Sequence, residues 1–335
     1  MKKKIKVGVI GLGVGEQHII GYKKNPIVSV DAICDINKKK LKNVAKKYKI
    51  NKIFLNWKDL IDSDLDAISI CSYDNYHSEQ AIRAFKNGIH CMIEKPIALN
   101  KKESERVLRA QQDSKKIITS NLVLRQSPRF QQLKKEISKG LYGQIVYGEA
   151  DYLHYILWKI TKGWRGNMPF YCTMYGGGIH LVDLVRWLIS SEVKQVTGMS
   201  NNIQTKKSRY KEDDFIAAFL KFDTGSIFKT VTNFGSIRNK FHSLSIYGTK
   251  KTFINDLPNA YYFNKHGDNV KKRIINTKYN STMNKYVLIN NFIESIKKNH
   301  EPIVKASDVF RTMDVCFSTY ESIKKQKTVN VSYLI

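Results

Sequence analysis

The first 120 residues alternate between short apolar runs and longer segments in which apolar residues recur every three or four positions. The short runs have the length and β-branched content of strands buried on both faces; they cover residues 4–10, 28–34, 67–71 and 89–93. The longer segments are predicted amphipathic helices; they cover residues 38–48, 78–87 and 101–115. Strands that alternate with helices predict an α/β fold with a doubly wound parallel sheet.

The second half has a different pattern, because apolar and polar residues alternate along most of its predicted strands. These strands cover residues 144–152, 193–202, 215–222, 226–234, 243–247 and 251–254. Helices are predicted at 128–139, from Ile179 onward, at 286–298 and at 306–325. This pattern predicts an α+β domain with a large, mainly antiparallel open sheet. We therefore predict two domains, covering residues 1–122 and 123–335.

The net charge of +28 over 335 residues makes nucleic acid, anionic lipid and anionic small molecules candidate partners. Most basic residues are lysines scattered along the chain, which favours a small molecule such as a nucleotide or nucleotide sugar over nucleic acid. No apolar run approaches the ~20 residues that cross a bilayer, so no membrane partner is predicted. Five cysteines without a CxxC pair predict a cytoplasmic protein with reduced thiols, and the histidines show no metal-ligand spacing.

A glycine-rich turn follows the first predicted strand and precedes a helical segment. Gly11 and Gly13 allow a tight turn, which includes Val14, and close approach of the backbone to a pyrophosphate. The helix predicted from about Gln17 offers its amino end to the anion. Gly15 stands one residue earlier than the third glycine of G-x-G-x-x-G, where this chain has Glu16. The order of strand, turn and helix predicts a dinucleotide site in a Rossmann domain.

Asp35 ends the second predicted strand, about twenty residues beyond the glycines, where a carboxylate accepts the ribose hydroxyls of an adenosine. This position favours NAD over NADP as cofactor. Another role for Asp35 is the N-cap of the helix at 38–48, and the two roles are compatible. Lys38, Lys39 and Lys40 follow, so a 2′-phosphate, and with it NADP, is not excluded.

Two further loops follow predicted strands at the same edge of the sheet, where open parallel sheets bind ligands. One carries Ser72, Asn75 and His77, and the other carries Glu94 and Lys95. Pro96 biases Lys95 towards an extended conformation at the end of its strand. We interpret these residues as cofactor contacts and Lys95 as a catalytic lysine; an exposed lysine in an ordinary loop is the alternative.

The glycine turn, the loop that ends in His77 and the tripeptide Glu94-Lys95-Pro96 resemble the family of glucose-fructose oxidoreductases, inositol dehydrogenases and rhizopine-catabolism proteins (Gfo/Idh/MocA). The resemblance spans nearly the whole chain and implies NAD(P)-dependent hydride transfer at a hydroxyl or keto carbon of a sugar, sugar acid or nucleotide sugar. A non-catalytic, NAD(P)-sensing regulator of the same fold is the alternative. The family commonly assembles through the outer face of the large sheet, which implies a homodimer or homotetramer.

His180 and Asp183 match the His-x-x-Asp motif of this family. The resemblance implies that His180 is the acid/base and that Lys95 stabilises the reacting oxygen on the other side of the sugar hydroxyl, against the nicotinamide. It also implies that Glu94 orients Lys95 and that Asp183 holds a sugar hydroxyl.

One departure from the family pattern concerns the residue four positions before His180, which is often Asp in the family and is Gly176 here. Tyr155 or Tyr175 could substitute in proton transfer. The stretch at 153–175 supplies aromatic faces for sugar stacking, and Lys159 and Arg165 could meet a phosphate or carboxylate. This favours an acidic sugar or nucleotide sugar, and a dimer interface is the alternative role of the stretch.

Overall fold

The computed structural model describes residues 4–267, 270–277, 279 and 285–335. The remaining positions of the two predicted domains lie outside the described residues. The chain forms two compact units. One comprises Met1–Leu122, Asn284–Met313 and Leu334–Ile335, and the other comprises Val123–Met283 and Asp314–Tyr333.

The first unit contains a six-stranded sheet in which every neighbouring pair is parallel. Its strands are β1 (Ile5–Ile10), β2 (Val28–Cys34), β3 (Lys52–Phe54), β4 (Ala67–Ile70), β5 (His90–Ile93) and β6 (Ile118–Ser120). The strand order is β3-β2-β1-β4-β5-β6. The direction of winding reverses between β1 and β4, and ligands bind beyond the carboxyl ends of the strands at such a reversal.

Five helices follow these strands: α1 (Gly15–Lys23), α2 (Lys38–Tyr48), α3 (Trp57–Ile61), α4 (His77–Lys86) and α5 (Lys101–Ser114). Side-chain oxygens of asparagines cap three of them: Asn37 accepts a hydrogen bond from Lys40 N, Asn56 accepts one from Lys58 N and Asn100 accepts one from Glu103 N. The central strands are buried on both faces, as the apolar runs predict; β4, for example, has no exposed residue.

The second unit contains a mixed, mostly antiparallel sheet of nine strands in the order β14-β13-β12-β11-β7-β10-β9-β8-β15. The strands are β7 (Ile145–Leu153), β8 (Val193–Asn201), β9 (Phe215–Phe222), β10 (Ile227–Asn233), β11 (Phe241–Gly248), β12 (Thr252–Asn255), β13 (Ala260–Phe263), β14 (Arg273–Ile275) and β15 (Val329–Asn330). Among the described strands of this second sheet, only β7 and β10 form a parallel pair. The predicted fold class is confirmed in both halves.

The helices of this part of the chain are α6 (Pro128–Ser138), α7 (Leu157–Thr161) and α8 (Ile179–Ile189). Two long helices follow near the end of the chain, α9 (Tyr286–Lys298) and α10 (Ala306–Lys325). Helix α9 belongs to the first unit and packs closely against α1. A Cβ built on Gly21 of α1 would lie only 2.7 Å from Cδ1 of Ile289 on α9. None of the described helices combines the length and the apolar character that a membrane crossing requires.

The structure differs from the pattern at a few short elements. The sequence also predicts a strand over residues 116–124, but only the three residues of β6 form one, and a 3₁₀ turn at Val123–Gln126 follows. Strands β13, β14 and β15 and helix α7 have two to five residues each, which is too short for a periodic signal.

Candidate active site

The three glycines after β1 have different spatial surroundings. Gly11 has a φ of +81°, and a Cβ there would lie 2.4 Å from the carbonyl oxygen of Cys71. A Cβ on Gly15 would lie 2.9 Å from Val9 Cγ1, so Gly15 allows close contact between α1 and β1. A Cβ on Gly13 would meet only Lys40 Nζ, at 3.8 Å. Gly13 therefore leaves its backbone open to a ligand, and the turn fits the pyrophosphate of a dinucleotide.

Asp35 ties the end of β2 to the glycine turn. Its Oδ2 accepts a hydrogen bond from Leu12 N at 2.8 Å, and its Oδ1 accepts one from Asn37 N at 2.8 Å. The N-cap of α2 is Asn37, so the alternative role considered for Asp35 is wrong. A carboxylate has about four lone-pair sites, and two backbone donors leave room for ribose hydroxyls.

His77 anchors the loop after β4. Its Nδ1 lies 2.7 Å from the carbonyl oxygen of Pro96, and its Nε2 lies 3.2 Å from that of Ser72. The imidazole is fully buried, and it joins two of the three loops that the sequence assigns to the cofactor. Asn75 lies between Ser72 and His77 in the sequence, on a 3₁₀ turn, and its side chain is exposed.

Glu94 is the centre of a buried polar network at the end of β5. Its Oε1 accepts hydrogen bonds from Asn121 Nδ2 at 2.6 Å and from His18 Nε2 at 3.1 Å, and it forms an ion pair with Lys285. Burial raises the pKa of Glu94, but Lys285 and His18 outweigh it and hold that pKa well below its usual value. Glu94 is therefore an anion fixed in place immediately before Lys95.

Lys95 itself is half-buried, and its peptide bond to Pro96 is cis. The residues on either side of this pair, Glu94 and Ile97, are buried. The backbone of Glu94 donates a hydrogen bond to Ile70 O at 2.8 Å, which fixes the end of β5 against β4. Lys95 thus stands on a rigid segment at the carboxyl edge of the parallel sheet.

His180 lies at the start of α8, directly after a π-helical turn at Met174–Gly178. A Cβ on Gly177 would lie 2.9 Å from the ring of Tyr152, and one on Gly178 would lie 2.4 Å from Thr232 Oγ1. The glycines therefore let the backbone before His180 approach the sheet closely, and π-helical turns are often found at functional sites.

Aromatic side chains surround His180, which is 9% exposed. Its ring centroid lies 6.5 Å from that of Tyr152 and 6.4 Å from that of His242. The Nδ1 of His242 forms a short hydrogen bond with the hydroxyl of Tyr279, and the hydroxyl of Tyr152 lies 3.3 Å from His154 Nδ1. This cluster holds the imidazole in a defined orientation within the second unit.

The aromatic stretch before α8 carries the basic side chains that the sequence assigns to the substrate. The Arg165 guanidinium lies 4.2 Å from the ring centroid of Trp164, and Lys159 Nζ lies 5.6 Å from that of Trp158. Burial, followed by the charge of Arg165, lowers the pKa of Lys159. Tyr155 in the same stretch is 59% exposed.

The sequence matches profiles of the Gfo/Idh/MocA oxidoreductases in both halves. Residues 5–122 match the profile described as "Oxidoreductase family, NAD-binding Rossmann fold", and residues 134–331 match "Oxidoreductase family, C-terminal alpha/beta domain". The chain belongs to this oxidoreductase family. The resemblance, the NAD cofactor and the assignment as an NAD(P)-dependent dehydrogenase are thereby confirmed.

Several relatives of this family member have names that describe an activity. The myo-inositol 2-dehydrogenase of Thermotoga maritima is 22% identical over 343 residues, which cover 99% of this chain and 100% of that protein. The structure of myo-inositol 2-dehydrogenase from Lactobacillus plantarum has a TM-score of 0.85 at 20% identity, covering 98% of this chain and 100% of that one. The structure of an oxidoreductase from Agrobacterium radiobacter, in complex with NAD+, L-tartaric acid and magnesium, has a TM-score of 0.86 at 16% identity. This match covers 98% of this chain and 99% of that one. None of these three names supports the regulatory alternative.

Asp183, which the resemblance assigns to a sugar hydroxyl, and Tyr175, which was considered for proton transfer, are buried among protein contacts in this family member. Asp183 has no exposed surface, and both of its carboxylate oxygens accept hydrogen bonds from Arg125, at 2.9 and 2.6 Å. Tyr175 is packed edge-on against Phe170 and Phe317, and burial raises its pKa well above the usual value. These contacts favour a structural role for Asp183 and Tyr175 over contact with a substrate or proton transfer.

Several residues of the two clusters were not identified from the sequence. In the first unit these are His18, Asn121 and Lys285 around Glu94. In the second they are Tyr152 and His242 beside His180, together with Arg125, the partner of Asp183. The only local signal was the position of His18 on the helix that the glycine turn begins.

Proposed function

We propose that the protein transfers a hydride between NAD and a carbon that carries a hydroxyl or keto group in a sugar, a polyol or one of their derivatives. The observation that carries the proposal is the buried network that fixes Glu94 directly before Lys95, at the carboxyl end of β5 in the NAD-binding unit. The names of the inositol dehydrogenase relatives support a polyhydroxylated substrate.

The residues around the glycine turn suit the cofactor. The open backbone at Gly13 and the amino end of α1 would bind the pyrophosphate, and Asp35 would accept ribose hydroxyls. The exposed Asn75 and the backbone that His77 holds would contact the rest of the dinucleotide. When bound, NAD+ supplies the acceptor for the hydride that leaves the substrate carbon.

In the direction of oxidation, we assign the proton transfer to His180 and the stabilisation of the oxygen to Lys95. His180 would take the hydroxyl proton as a general base, which requires a neutral imidazole with an accessible nitrogen. The ammonium of Lys95 would donate a hydrogen bond to the same oxygen and stabilise the negative charge that develops there. Glu94 would keep the segment that carries Lys95 in place.

The proposal is tested by following the reduction of NAD+ by absorbance with a panel of neutral sugars, polyols, sugar acids and nucleotide sugars. We expect turnover with at least one class, and a loss of about 10²–10⁴ in kcat for Lys95→Met and for His180→Asn. Lys86→Met, which removes an exposed lysine of α4, is the control and should retain full activity. Full turnover by Lys95→Met would show that the assigned mechanism is wrong.

A further inference from the structure

The position at which the family often has Asp is filled by a different side chain in this protein. A Cβ built on Gly176 would lie 1.8 Å from the hydroxyl oxygen of Tyr171 and 2.7 Å from its Cζ. The phenol of Tyr171 therefore occupies the space where a side chain of residue 176 would begin. The space one helical turn before His180 therefore contains the hydroxyl of Tyr171 and no carboxylate of residue 176.

Tyr171 also supports a cation. The Arg165 guanidinium lies 5.5 Å from the centroid of the Tyr171 ring as well as 4.2 Å from that of Trp164. A guanidinium stacked on two rings has fewer conformations to lose when it binds an anion, because its plane is already oriented. Arg165 is only partly buried.

A continuous series of aromatic contacts connects Arg165 with His180. The ring centroid of Phe234 lies 6.4 Å from that of Tyr171 and 5.8 Å from that of Tyr152. Tyr152 in turn packs against His180 at 6.5 Å. The cation and the imidazole therefore belong to the same wall of the second unit.

The charges along this wall are positive. Apart from burial, the cause that lowers the pKa of Lys159 is Arg165, and the causes that lower the pKa of His154 to about 4 are Lys240 and Lys159. Arg165 thus acts on Lys159, and Lys159 acts on His154, whose Nδ1 lies 3.3 Å from the hydroxyl of Tyr152. An anion is favoured at such a surface, and a second cation is not.

We propose that the substrate carries an anionic group, a carboxylate or a phosphate, and that Arg165, stacked on Tyr171 and Trp164, binds it with the help of Lys159. The inference rests on the proposed function, because it specifies the substrate of the same site. Arg165 is a specificity-determining residue in this proposal, and Gly176 brings no carboxylate that would repel the anion.

The test measures binding and turnover separately. Binding of D-glucuronate, D-glucose 6-phosphate, D-glucose and myo-inositol to the NADH-saturated protein is measured by calorimetry, and turnover of each with NAD+ is measured by absorbance. The two anions distinguish a carboxylate from a phosphate requirement. The variants are Arg165→Gln, Arg165→Lys and, as the matched control, Lys162→Gln, which removes an exposed charge from the same loop.

We expect at least one anionic sugar to bind about tenfold or more tightly than the neutral ones. Arg165→Gln should remove this difference, Arg165→Lys should retain part of it, and Lys162→Gln should retain all of it. Equal binding of anionic and neutral sugars, or a preference that survives Arg165→Gln, would overturn the inference. Anion binding that depends on Arg165 without any turnover would support the anion site and refute the proposed hydride transfer.

Discussion

Glu94 and His18 are joined by a hydrogen bond of 3.1 Å in the buried interior of the first unit. The other ring nitrogen of His18 lies 3.0 Å from Ser69 Oγ, which lies 2.7 Å from the hydroxyl of Tyr22. One assignment of protons satisfies the whole chain: Tyr22 donates to Ser69, Ser69 donates to His18, and His18 donates to Glu94. Helix α1, which begins at the glycine turn, is thereby connected to the segment that carries Lys95.

Substitution of Lys285 by methionine tests how much this network stabilises the segment that carries Lys95. The change removes the ion-pair partner of a buried carboxylate, and we expect the free energy of unfolding to fall by roughly 3 kcal/mol. The pKa of Glu94 is depressed in the folded protein, so its stabilising contribution is present above the usual glutamate pKa and is lost as the pH falls towards the folded value. Urea unfolding between pH 3 and pH 7 should therefore show a weaker acid dependence in the variant.

The control for this substitution is Lys298→Met, which removes a mostly exposed lysine that pairs with Glu294 on α9. We expect a change within about 0.5 kcal/mol, because exposed ion pairs contribute little. An equal loss of stability in both variants would mean that the ion pair of Lys285 with Glu94 contributes no more to stability than an exposed ion pair.

Alanine substitutions at two neighbouring glycines separate cofactor binding from packing. Gly13→Ala should leave the melting temperature nearly unchanged, because the added Cβ meets only a flexible lysine end at 3.8 Å. It should still weaken NADH binding about tenfold or more, because the methyl group stands where the pyrophosphate approaches. Gly15→Ala should instead lower the melting temperature, because its Cβ would lie 2.9 Å from Val9. Fluorescence titration with NADH and thermal unfolding distinguish the two effects.

Asp35 leads to a prediction about cofactor choice. Its carboxylate accepts two backbone hydrogen bonds at the end of β2 and would repel the 2′-phosphate of NADP. We expect NADH to bind about tenfold more tightly than NADPH, and Asp35→Ser to reduce this difference. Separate fluorescence titrations measure both affinities, and tighter binding of NADPH to the unaltered protein would contradict the role assigned to Asp35.

The sequence pattern predicted most of the fold because the long elements have strong periodic signals. Helices α2, α9 and α10 and strands β2 and β9 have the predicted limits. In contrast, the turn at Met174–Gly178 is π-helical, and three consecutive glycines leave no periodic pattern that could reveal this. Its geometry depends on the contacts of those glycines with Tyr152, Thr232 and Tyr171.

The candidate site was only partly predictable because its supporting contacts join distant parts of the chain. Lys285 pairs with Glu94 across 191 positions, and neither local spacing nor composition marks the two as partners. The same applies to Arg125, which is 58 positions from Asp183. Loop residues at strand ends could be assigned from topology, but the tertiary partner that holds each one could not.

The histidine at the start of β5 predicts a pH dependence of stability. Burial, followed by the charge of Lys116, lowers the pKa of His90 to about 4, and its Nδ1 accepts a hydrogen bond from Ile117 N at 3.0 Å. In the unfolded chain His90 takes up a proton near pH 6.5, whereas the folded protein resists this down to about pH 4. His90 should therefore reduce the free energy of unfolding as the pH falls below about 6.5, by less than about 1.4 kcal/mol for each pH unit because solvent screens the partly exposed ring.

His90→Asn retains a hydrogen-bond acceptor and removes this titration. Urea unfolding at pH 7, 6 and 5 should show a shallower loss of stability in the variant than in the unaltered protein. His266→Asn, at an exposed position, is the matched control and should leave the slope unchanged. Identical slopes in all three proteins would show that the folded protein does not exclude the proton from His90.

Substitutions in the buried pair of Arg125 and Asp183 test whether Asp183 has a structural role or binds the substrate. Asp183→Asn leaves a guanidinium buried without its full counter-charge, and we expect a loss of roughly 3 kcal/mol of stability. Replacement of both residues by leucine should cost less than the single change, because no charge then remains buried without a partner. If Asp183 instead holds a sugar hydroxyl, Asp183→Asn should raise KM strongly with little change in unfolding. Urea unfolding and steady-state kinetics on the same preparations decide between these results, and we expect the effect on stability to dominate.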